Sequence, residues 1–297
     1  MASESILAGL NVAAVPSRRL EAFALLPDYW ALTKPDVNLL VAIAAALAYC
    51  AGAAASQVHL RWLPLLSVVL GTSLTAGGAA ALNQWMERGF DSEMRRTARR
   101  PIAAGRIEPT PAAIFGVLLA LAGVLELWLA VSAIASLLAF ATLCGYLFVY
   151  TPLKRRTPLC TLVGAIPGAM PVLIGYVAAA GKADTRAWLL YVILFLWQFP
   201  HFMAIAWMYR EDYARAGYRV LPVKSRGRLV AWQTMLPAAG LLAVSGVASP
   251  WCVLLSAAFL YYGTSLAFRR SNQAARRLLA ASIVYLPAAL LLVSLNR

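Results

Sequence analysis

Long apolar stretches separated by short polar segments dominate the pattern of this chain. A helix that crosses about 30 Å of hydrocarbon needs about 20 apolar residues, and nine stretches are long enough. They lie near residues 37–56, 62–82, 111–130, 133–151, 160–180, 187–208, 229–247, 250–268 and 278–295. Prolines inside them, such as Pro167, Pro171 and Pro200, would kink helices around an internal cavity. The pattern therefore predicts an all-α, polytopic membrane protein with nine transmembrane helices around a central cavity.

Composition supports this fold class, because 62% of the 297 residues are hydrophobic and only 13% are charged, against about 25% charged in soluble domains. The net charge of +14 would indicate nucleic-acid binding in a soluble protein. Here the basic residues lie in short segments between apolar stretches, where they set membrane topology. We therefore expect a lipid bilayer, and no nucleic acid, as partner.

The basic residues fall mainly on one side of the nine predicted helices. The four that fall on the other side are Arg61, Lys182, Arg186 and Arg297. By the positive-inside rule, the basic side faces the cytoplasm. We expect a bacterial inner-membrane protein with a cytoplasmic N-terminus and an external C-terminus; a mitochondrial inner membrane is the less favoured alternative. Residues 1–36 would form a cytoplasmic N-terminal segment, and residues 37–297 a single intramembrane domain.

Charged residues concentrate in two clusters that follow the second and sixth predicted helices. The first cluster runs from Asn83 to Pro101, and the second runs from Tyr209 to Tyr213. Both helices end on the cytoplasmic side in the predicted topology. We therefore expect the two clusters to face each other over one substrate.

The spacing within the first cluster favours a shared binding site. Asn83, Glu87 and Asp91 recur every four residues, so they lie within about 80° of one face if the helix continues through them. Such oxygen ligands suit Mg²⁺ shared with substrate phosphates, and the apolar cavity below would take a lipid tail. The alternative is a solvated loop whose acids pair with neighbouring arginines and contribute little. Asn83 argues against it, because an amide has no role in surface ion pairing.

Four segments also carry a family resemblance. The segment from Asn83 to Pro101 resembles the first acidic motif of the UbiA superfamily of intramembrane prenyltransferases. Residues 150–155 are similar to the fourth loop of that family, and residues 164–175 to its proline-rich fifth helix. Residues 197–222 resemble its second motif. The segments follow one another in the family's order and at fitting spacing.

The resemblance is strongest to the branch that modifies haem, and it implies an Mg²⁺-dependent prenyltransferase. The expected reaction transfers a farnesyl group from farnesyl diphosphate to the 2-vinyl group of haem b, with addition of water, to give haem O. A downstream haem-modifying enzyme is an open candidate as partner. Two alternatives remain, a prenyltransferase for an aromatic quinone-type acceptor and a transporter. Transporters more often carry ionisable residues near the bilayer midplane.

The residue types and the resemblance together assign candidate roles. The expected catalytic residues are Asn83, Glu87, Asp91, Glu211 and Asp212. The expected Mg²⁺ ligands are Asn83, Glu87, Asp91 and Asp212. The expected diphosphate-binding cations are Arg88, Arg96, Arg100, Lys154 and Arg210. His201, beside Pro200 in a predicted span, is a candidate axial ligand or propionate contact for haem, although a lone helical histidine is usually a core residue.

Two positions depart from the family pattern. Gly89 stands where this branch usually has a further Asp, which removes one potential metal ligand. Tyr209 stands where quinone-type relatives carry an Asp, which leaves Glu211 and Asp212 as the acids of the second motif. The first departure predicts a weaker metal site, and the second favours haem over a quinone-type acceptor.

Overall fold

The regular secondary structure is helical throughout the parts of the chain that the computed structural model describes, residues 18–218, 228–248 and 250–295. The helices are α1 (Arg18–Leu32), α2 (Pro35–Ala55), α3 (Trp62–Asp91), α4 (Pro109–Ala130), α5 (Ala133–Cys144), a π-helical turn (Gly145–Tyr150), α6 (Thr151–Arg156), α7 (Cys160–Ala180), α8 (Thr185–Met208), α9 (Arg210–Arg215), α10 (Arg228–Ala248), α11 (Pro250–Arg269) and α12 (Asn272–Leu295). The last part of the second motif, residues 219–222, lies outside the described residues.

Nine helical segments in the described ranges are long and apolar enough to cross a membrane. Eight of the nine are the single helices α2, α3, α4, α7, α8, α10, α11 and α12. The ninth is the continuous segment Ala133–Arg156, which joins α5, the π-helical turn and α6. This confirms the predicted all-α fold with nine spans. The helix α1 was not predicted. The continuation of α3 from residue 82 to Asp91, which the argument from the four-residue spacing assumed, is present.

The continuation of α3 has a local cause, because its polar residues are buried among neighbouring elements. Asn83 and Gln84 are each 1% exposed. The Nε2 atom of Gln84 donates to the carbonyl of Leu32 at 2.8 Å, which ties the end of α1 to α3. Polar residues that marked the end of an apolar stretch in the sequence therefore mark an internal polar site.

Close contact between α3 and α4 fixes the position of α3 along its axis. A Cβ atom at Gly78 would lie 2.5 Å from the amide nitrogen of Ala120. A Cβ atom at Gly123 would lie 2.5 Å from the amide nitrogen of Thr75. Small residues let helix backbones approach in membranes, and here two glycines on facing helices do so. The charged end of α3 is thereby held in a set register.

The helices surround a central cavity of about 450 Å³, as predicted. Its wall is formed by residues of α2, α3, α5, the π-helical turn, α6, α7, α8 and α9, by the segments before α2 and after α3 and α9, and by Leu286 of α12. Pro167 and Pro171 of α7 lie in this wall, where an irregular helix can face an internal space. The cavity extends from the end of α3 towards the interior of the helix bundle.

The π-helical turn Gly145–Tyr150 interrupts the fourth span beside the cavity. Pro152 follows it at the start of α6. A proline has no backbone N–H, and its ring clashes with the carbonyl four residues earlier, which favours a local widening of the helix. The turn places Tyr146, Tyr150 and Lys154 along the cavity wall.

Candidate active site

One end of the cavity carries charge and the rest is mostly apolar. Among the described wall residues, the cations are Lys34, Arg96, Arg100 and Lys154, and the carboxylates are Glu87 and Asp91. The wall then continues through small and apolar side chains to His201 and Leu286. Such a cavity has room for an amphiphile with an anionic head and an apolar body.

The continuous helix α3 places Asn83, Glu87 and Asp91 on one face. Their exposed fractions are 1%, 6% and 2%, and all three line the cavity. A solvated charged loop is therefore wrong for these positions. The four-residue spacing has the geometric consequence that the sequence predicted.

Glu87 pairs with Lys154 across the cavity mouth. The Nζ atom of Lys154 donates to the two carboxylate oxygens at 2.9 and 3.0 Å. The same ammonium lies 4.7 Å from the ring centroid of Tyr150. Because both charges are largely removed from water, loss of either partner would leave a buried and unpaired charge.

Asp91 pairs with Arg100 from the loop that follows α3. The Nη1 atom of Arg100 lies 2.8 and 2.7 Å from the two carboxylate oxygens of Asp91. The Thr97 hydroxyl donates to the Asp91 carbonyl at 2.9 Å, which folds the loop back over the end of the helix. The loop thus brings one of its arginines into the cavity.

Asn83 contacts a lysine that the sequence did not single out. The Nζ atom of Lys34 donates to Oδ1 of Asn83 at 3.3 Å, and Nδ2 of Asn83 donates to the Thr151 hydroxyl at 3.1 Å. Lys34 has a φ of 49°, a left-handed conformation that strains a lysine backbone. Burial, followed by the charges of Arg100 and Lys154, lowers the pKa of Lys34 to about 7. The sequence feature that could have identified Lys34 is its position directly before Pro35, the first residue of the first span.

The second charged cluster meets the first, as predicted. Asp212 is 7% exposed, and its Oδ2 atom accepts from the backbone N–H of Arg96 at 3.2 Å. The Nη2 atom of Arg96 lies 3.3 Å from the hydroxyl of Tyr213. The two segments are more than 100 residues apart in the sequence, so this contact is a tertiary one. Asp212 reaches the cavity wall through Arg96.

Besides Asp212, three of the residues assigned from the sequence lie away from the cavity wall. Arg88 is exposed and donates to the carbonyl of Trp85 at 2.8 Å. Arg210 donates to the carbonyl of Trp207 at 2.9 Å and to Asn272 at 3.0 Å. The side chain of Glu211 is 80% exposed. Their roles stay predictions, and the geometry gives them no direct contact with the described cavity.

Tyr218 closes part of the charged end and was not assigned a role from the sequence. It lines the cavity and packs edge-to-face against Phe90 and Tyr213, with ring centroids 6.4 and 5.7 Å apart. Burial, followed by the nearby carboxylate of Glu87, raises the pKa of the Tyr218 hydroxyl. It therefore stays a neutral hydrogen-bonding group beside the acids.

His201 lies deeper in the cavity wall, on α8. Its ring stacks on Trp197 with centroids 4.6 Å apart, and its Nδ1 atom lies 2.8 Å from the hydroxyl oxygen of Ser282. Seven residues, or about 10 Å of helix, separate it from the end of α8 at Met208. The candidate haem residue is thus set apart from the charged end of the same cavity.

With this geometry established, similarity to known proteins decides the family. Residues 40–291 match the UbiA prenyltransferase family. The chain belongs to that family. It is 44% identical over 287 residues to the protoheme IX farnesyltransferase of Solibacter usitatus, with 91% of this chain and 98% of that relative covered. It is 41% identical over 281 residues to the protoheme IX farnesyltransferase of Salinibacter ruber, with 90% and 98% covered.

Solved UbiA structures share the fold. A UbiA homolog from Archaeoglobus fulgidus bound to GPP and Mg²⁺ has a TM-score of 0.62 and 14% identity, covering 90% of this chain and 100% of that one. A structure described for digeranylgeranylglyceryl phosphate synthase has a TM-score of 0.70 and 16% identity, covering 92% and 98%. At such identities the likeness concerns the fold alone.

The oxygen donors of this UbiA chain fit a metal ion that arrives with its substrate. Asn83, Glu87 and Asp91 offer the oxygen ligands that Mg²⁺ prefers, on one face of α3. The described ranges contain no group of three or more His, Cys, Asp or Glu side chains that could hold a metal ion. Mg²⁺ bound through one or two carboxylates and substrate phosphates does not need such a group.

Proposed function

We propose that this protein transfers the farnesyl group of farnesyl diphosphate to the 2-vinyl group of haem b, with addition of water, and so makes haem O. The observation that carries the proposal is a single cavity with a charged end, an apolar body and His201 in its wall. The relatives named protoheme IX farnesyltransferase, 44% and 41% identical, support haem as acceptor over a quinone-type compound.

The charged end suits a diphosphate. Three cations, and Lys34 with a pKa of about 7, face two carboxylates along this wall. An anionic substrate would balance the excess of positive charge and favour the charged form of Lys34. We infer that Lys154 and Arg100, now paired with Glu87 and Asp91, would turn to the diphosphate when it binds. Lys34 would join them, whereas Arg88 lies outside the cavity.

Asn83, Glu87 and Asp91 would hold Mg²⁺ together with the diphosphate oxygens. The UbiA homolog described with GPP and Mg²⁺ supports this inference. When bound, Mg²⁺ would neutralise charge that develops on the leaving diphosphate. Asp212 stays a candidate ligand, although it would first have to release the backbone N–H of Arg96.

The chain's own residues would stabilise the charges that develop in the reaction. Lys154, Arg100 and Lys34 would stabilise the diphosphate as it leaves with the electron pair of the broken C–O bond. The rings of Tyr146 and Tyr150, 5.2 Å apart, would face the allylic cation. The vinyl π electrons would form the new C–C bond, and water would add to the resulting cation. The proton that this water loses would pass to the released diphosphate or to solvent. The apolar wall would limit how many water molecules compete.

The membrane setting follows from the spans and the charge distribution. Nine described spans and bacterial relatives indicate a multi-pass protein of the bacterial inner membrane. We infer a cytoplasmic N-terminus and an external C-terminus from the positive-inside rule. The contact between the two charged clusters supports a common side for both. A downstream haem-modifying enzyme is the candidate partner, because the product stays in the bilayer.

A turnover assay tests the proposal. Purified protein with Mg²⁺, farnesyl diphosphate and haem b should convert haem b to a more hydrophobic haem on reverse-phase chromatography. A reaction without farnesyl diphosphate gives the baseline. An unchanged haem peak would reject the proposal, and prenylation of an aromatic quinone precursor in its place would establish the alternative.

A further inference from the structure

The hydrogen-bond chain behind His201 decides which ring nitrogen carries the proton. The Ser282 hydroxyl donates to the carbonyl of Leu279 at 2.6 Å, and a carbonyl oxygen can only accept. The single hydroxyl proton is therefore used in that contact. The 2.8 Å contact between Ser282 Oγ and His201 Nδ1 then needs its proton from the ring. His201 consequently carries its proton on Nδ1 and a free electron pair on Nε2.

The surroundings also fix the direction of that electron pair. Ser282 is fully buried on α12, and its carbonyl accepts from Nε1 of Trp197 at 2.8 Å. The Trp197 ring, held by this bond, covers one face of the imidazole at 4.6 Å with an interplanar angle of 24°. Since Nδ1 points to α12, the opposite ring edge with Nε2 is the edge available to the cavity that His201 lines.

We propose that Nε2 of His201 is the axial ligand of the haem iron in the substrate complex, and that Ser282 is the residue that positions it. The proposal rests on the proposed function, which supplies haem b as substrate. A histidine that ligates a metal usually donates its other ring N–H to a fixed acceptor, which sets its tautomer and orientation. The chain from His201 to Ser282 and Leu279 is such an arrangement.

The same tautomer excludes a contact with a haem propionate. A carboxylate oxygen needs a hydrogen-bond donor, and Nε2 is an acceptor while Nδ1 carries the proton. Phe202 and Leu286 beside it are apolar, and the amide N–H groups of Gln198, one turn earlier on α8, donate to the carbonyls of Ala165 and Leu194. Iron is the part of haem that binds a neutral imidazole nitrogen.

Spectroscopy without turnover tests the ligand. The full-length protein, carrying a histidine-free affinity tag, is loaded with ferrous haem b in detergent without farnesyl diphosphate. We expect an iron–histidine stretching band by resonance Raman in the wild type, its loss in His201→Ala, and its return in His201→Gly with added imidazole. The matched control is His59→Ala, since the sequence has only two histidines and His59 is exposed between α2 and α3. No band in the wild type, or loss of the band in His59→Ala, would overturn the proposal.

Metal-free protoporphyrin IX separates ligation from packing. His201→Ala should weaken binding of haem b about tenfold and change binding of the metal-free porphyrin less than about twofold, because only the iron needs Nε2. An equal loss for both porphyrins would mean that His201 only fills space. That outcome would overturn the assignment even if the variant were less stable.

A pair of Ser282 variants tests the positioning role. Ser282→Ala removes the acceptor of the Nδ1 proton, so we expect a shifted iron–histidine band and about tenfold weaker haem binding. Ser282→Thr keeps a hydroxyl, so the iron–histidine band and the affinity for haem should both stay close to those of the wild type. Identical spectra for Ala and wild type would remove Ser282 from the proposal. If the wild type farnesylates haem but shows no iron–histidine band, the axial ligand is rejected and the proposed function is kept. If the band is present but no haem is farnesylated, the axial ligand is kept and the proposed function is rejected.

Discussion

Two acids of the first charged cluster line the cavity, whereas neither acid of the second cluster does. On α3, Glu87 and Asp91 are both buried, and each accepts two hydrogen bonds from a cation. On α9, a helix of six residues, Asp212 is buried and Glu211 is 80% exposed at its side chain. Residues four apart share a helix face, whereas adjacent residues are about 100° apart. We therefore expect α3 to supply the binding face and α9 to support it.

Of the variants that test the difference between α3 and α9, Asp91→Asn should cause the largest loss of activity. The change removes a carboxylate from the binding face and leaves Arg100 without its ion pair. We expect haem O formation to fall at least about 100-fold, the usual order for loss of a group that stabilises developing charge. Chromatography of the haem product measures it, and Glu211→Gln is the matched control with an expected change below about twofold. Equal losses in the two variants would show that the clusters contribute alike.

Lys154→Met should have the second largest effect, because it leaves the buried carboxylate of Glu87 without its ion-pair partner. Breaking a buried ion pair from one side costs about 3–5 kcal/mol, so both thermal stability and activity should fall. Adding Glu87→Gln removes the stranded charge, and the double variant should recover stability while activity stays low. If activity recovered with stability, the pair would be structural only.

Lys34→Met should raise KM for farnesyl diphosphate about tenfold, as expected for one lost charged contact. The matched control is Arg88→Met, because Arg88 is exposed and bonded to its own helix. Its KM should stay within about twofold of wild type. A larger effect in the Arg88 variant would restore the assignment made from the sequence and place the diphosphate outside the described cavity.

Asp212→Asn should reduce activity only several-fold. The amide oxygen can still accept from the backbone N–H of Arg96, so the contact between the clusters survives. Asp212→Ala, which loses the acceptor, should cost more than the Asn variant. If both variants lost activity as fully as Asp91→Asn, Asp212 would act as a metal ligand and not as a support.

Gly89→Asp should have the smallest effect. The position is exposed, and a Cβ atom there would meet nothing within 4 Å. The variant should change haem O formation by less than about twofold. Thermal stability should change little, because the gain in helix propensity over glycine is offset by the unfavourable position of an acid in the last turn of the helix. A many-fold gain in activity would show that an acid at position 89 reaches the metal site after all.

Arrangements of residues that are close in the sequence were predicted better than contacts between residues that are far apart in it. The shared face of Asn83, Glu87 and Asp91 on α3 was predicted from their four-residue spacing. The same helix geometry places Arg88 on a different face from Glu87, because adjacent residues are about 100° apart. The contact of Lys34 with Asn83 joins residues 49 positions apart, and that of Ser282 with His201 joins residues 81 apart. Such partners depend on helix packing, which hydropathy does not describe. The π-helical turn was missed because a single proline does not tell a kink from a widened turn.

The length of α3 has a consequence for substrate binding. Its 30 residues span about 45 Å, more than the roughly 30 Å of hydrocarbon in a bilayer. The acids near its end can therefore lie at the level of the lipid headgroups while the cavity wall below them lies within the hydrocarbon. A diphosphate with a prenyl tail already rests at that depth, head in water and tail in lipid. The substrate could therefore enter the site without moving its head out of water or its tail out of lipid. The cations and acids would then serve to recognise the diphosphate.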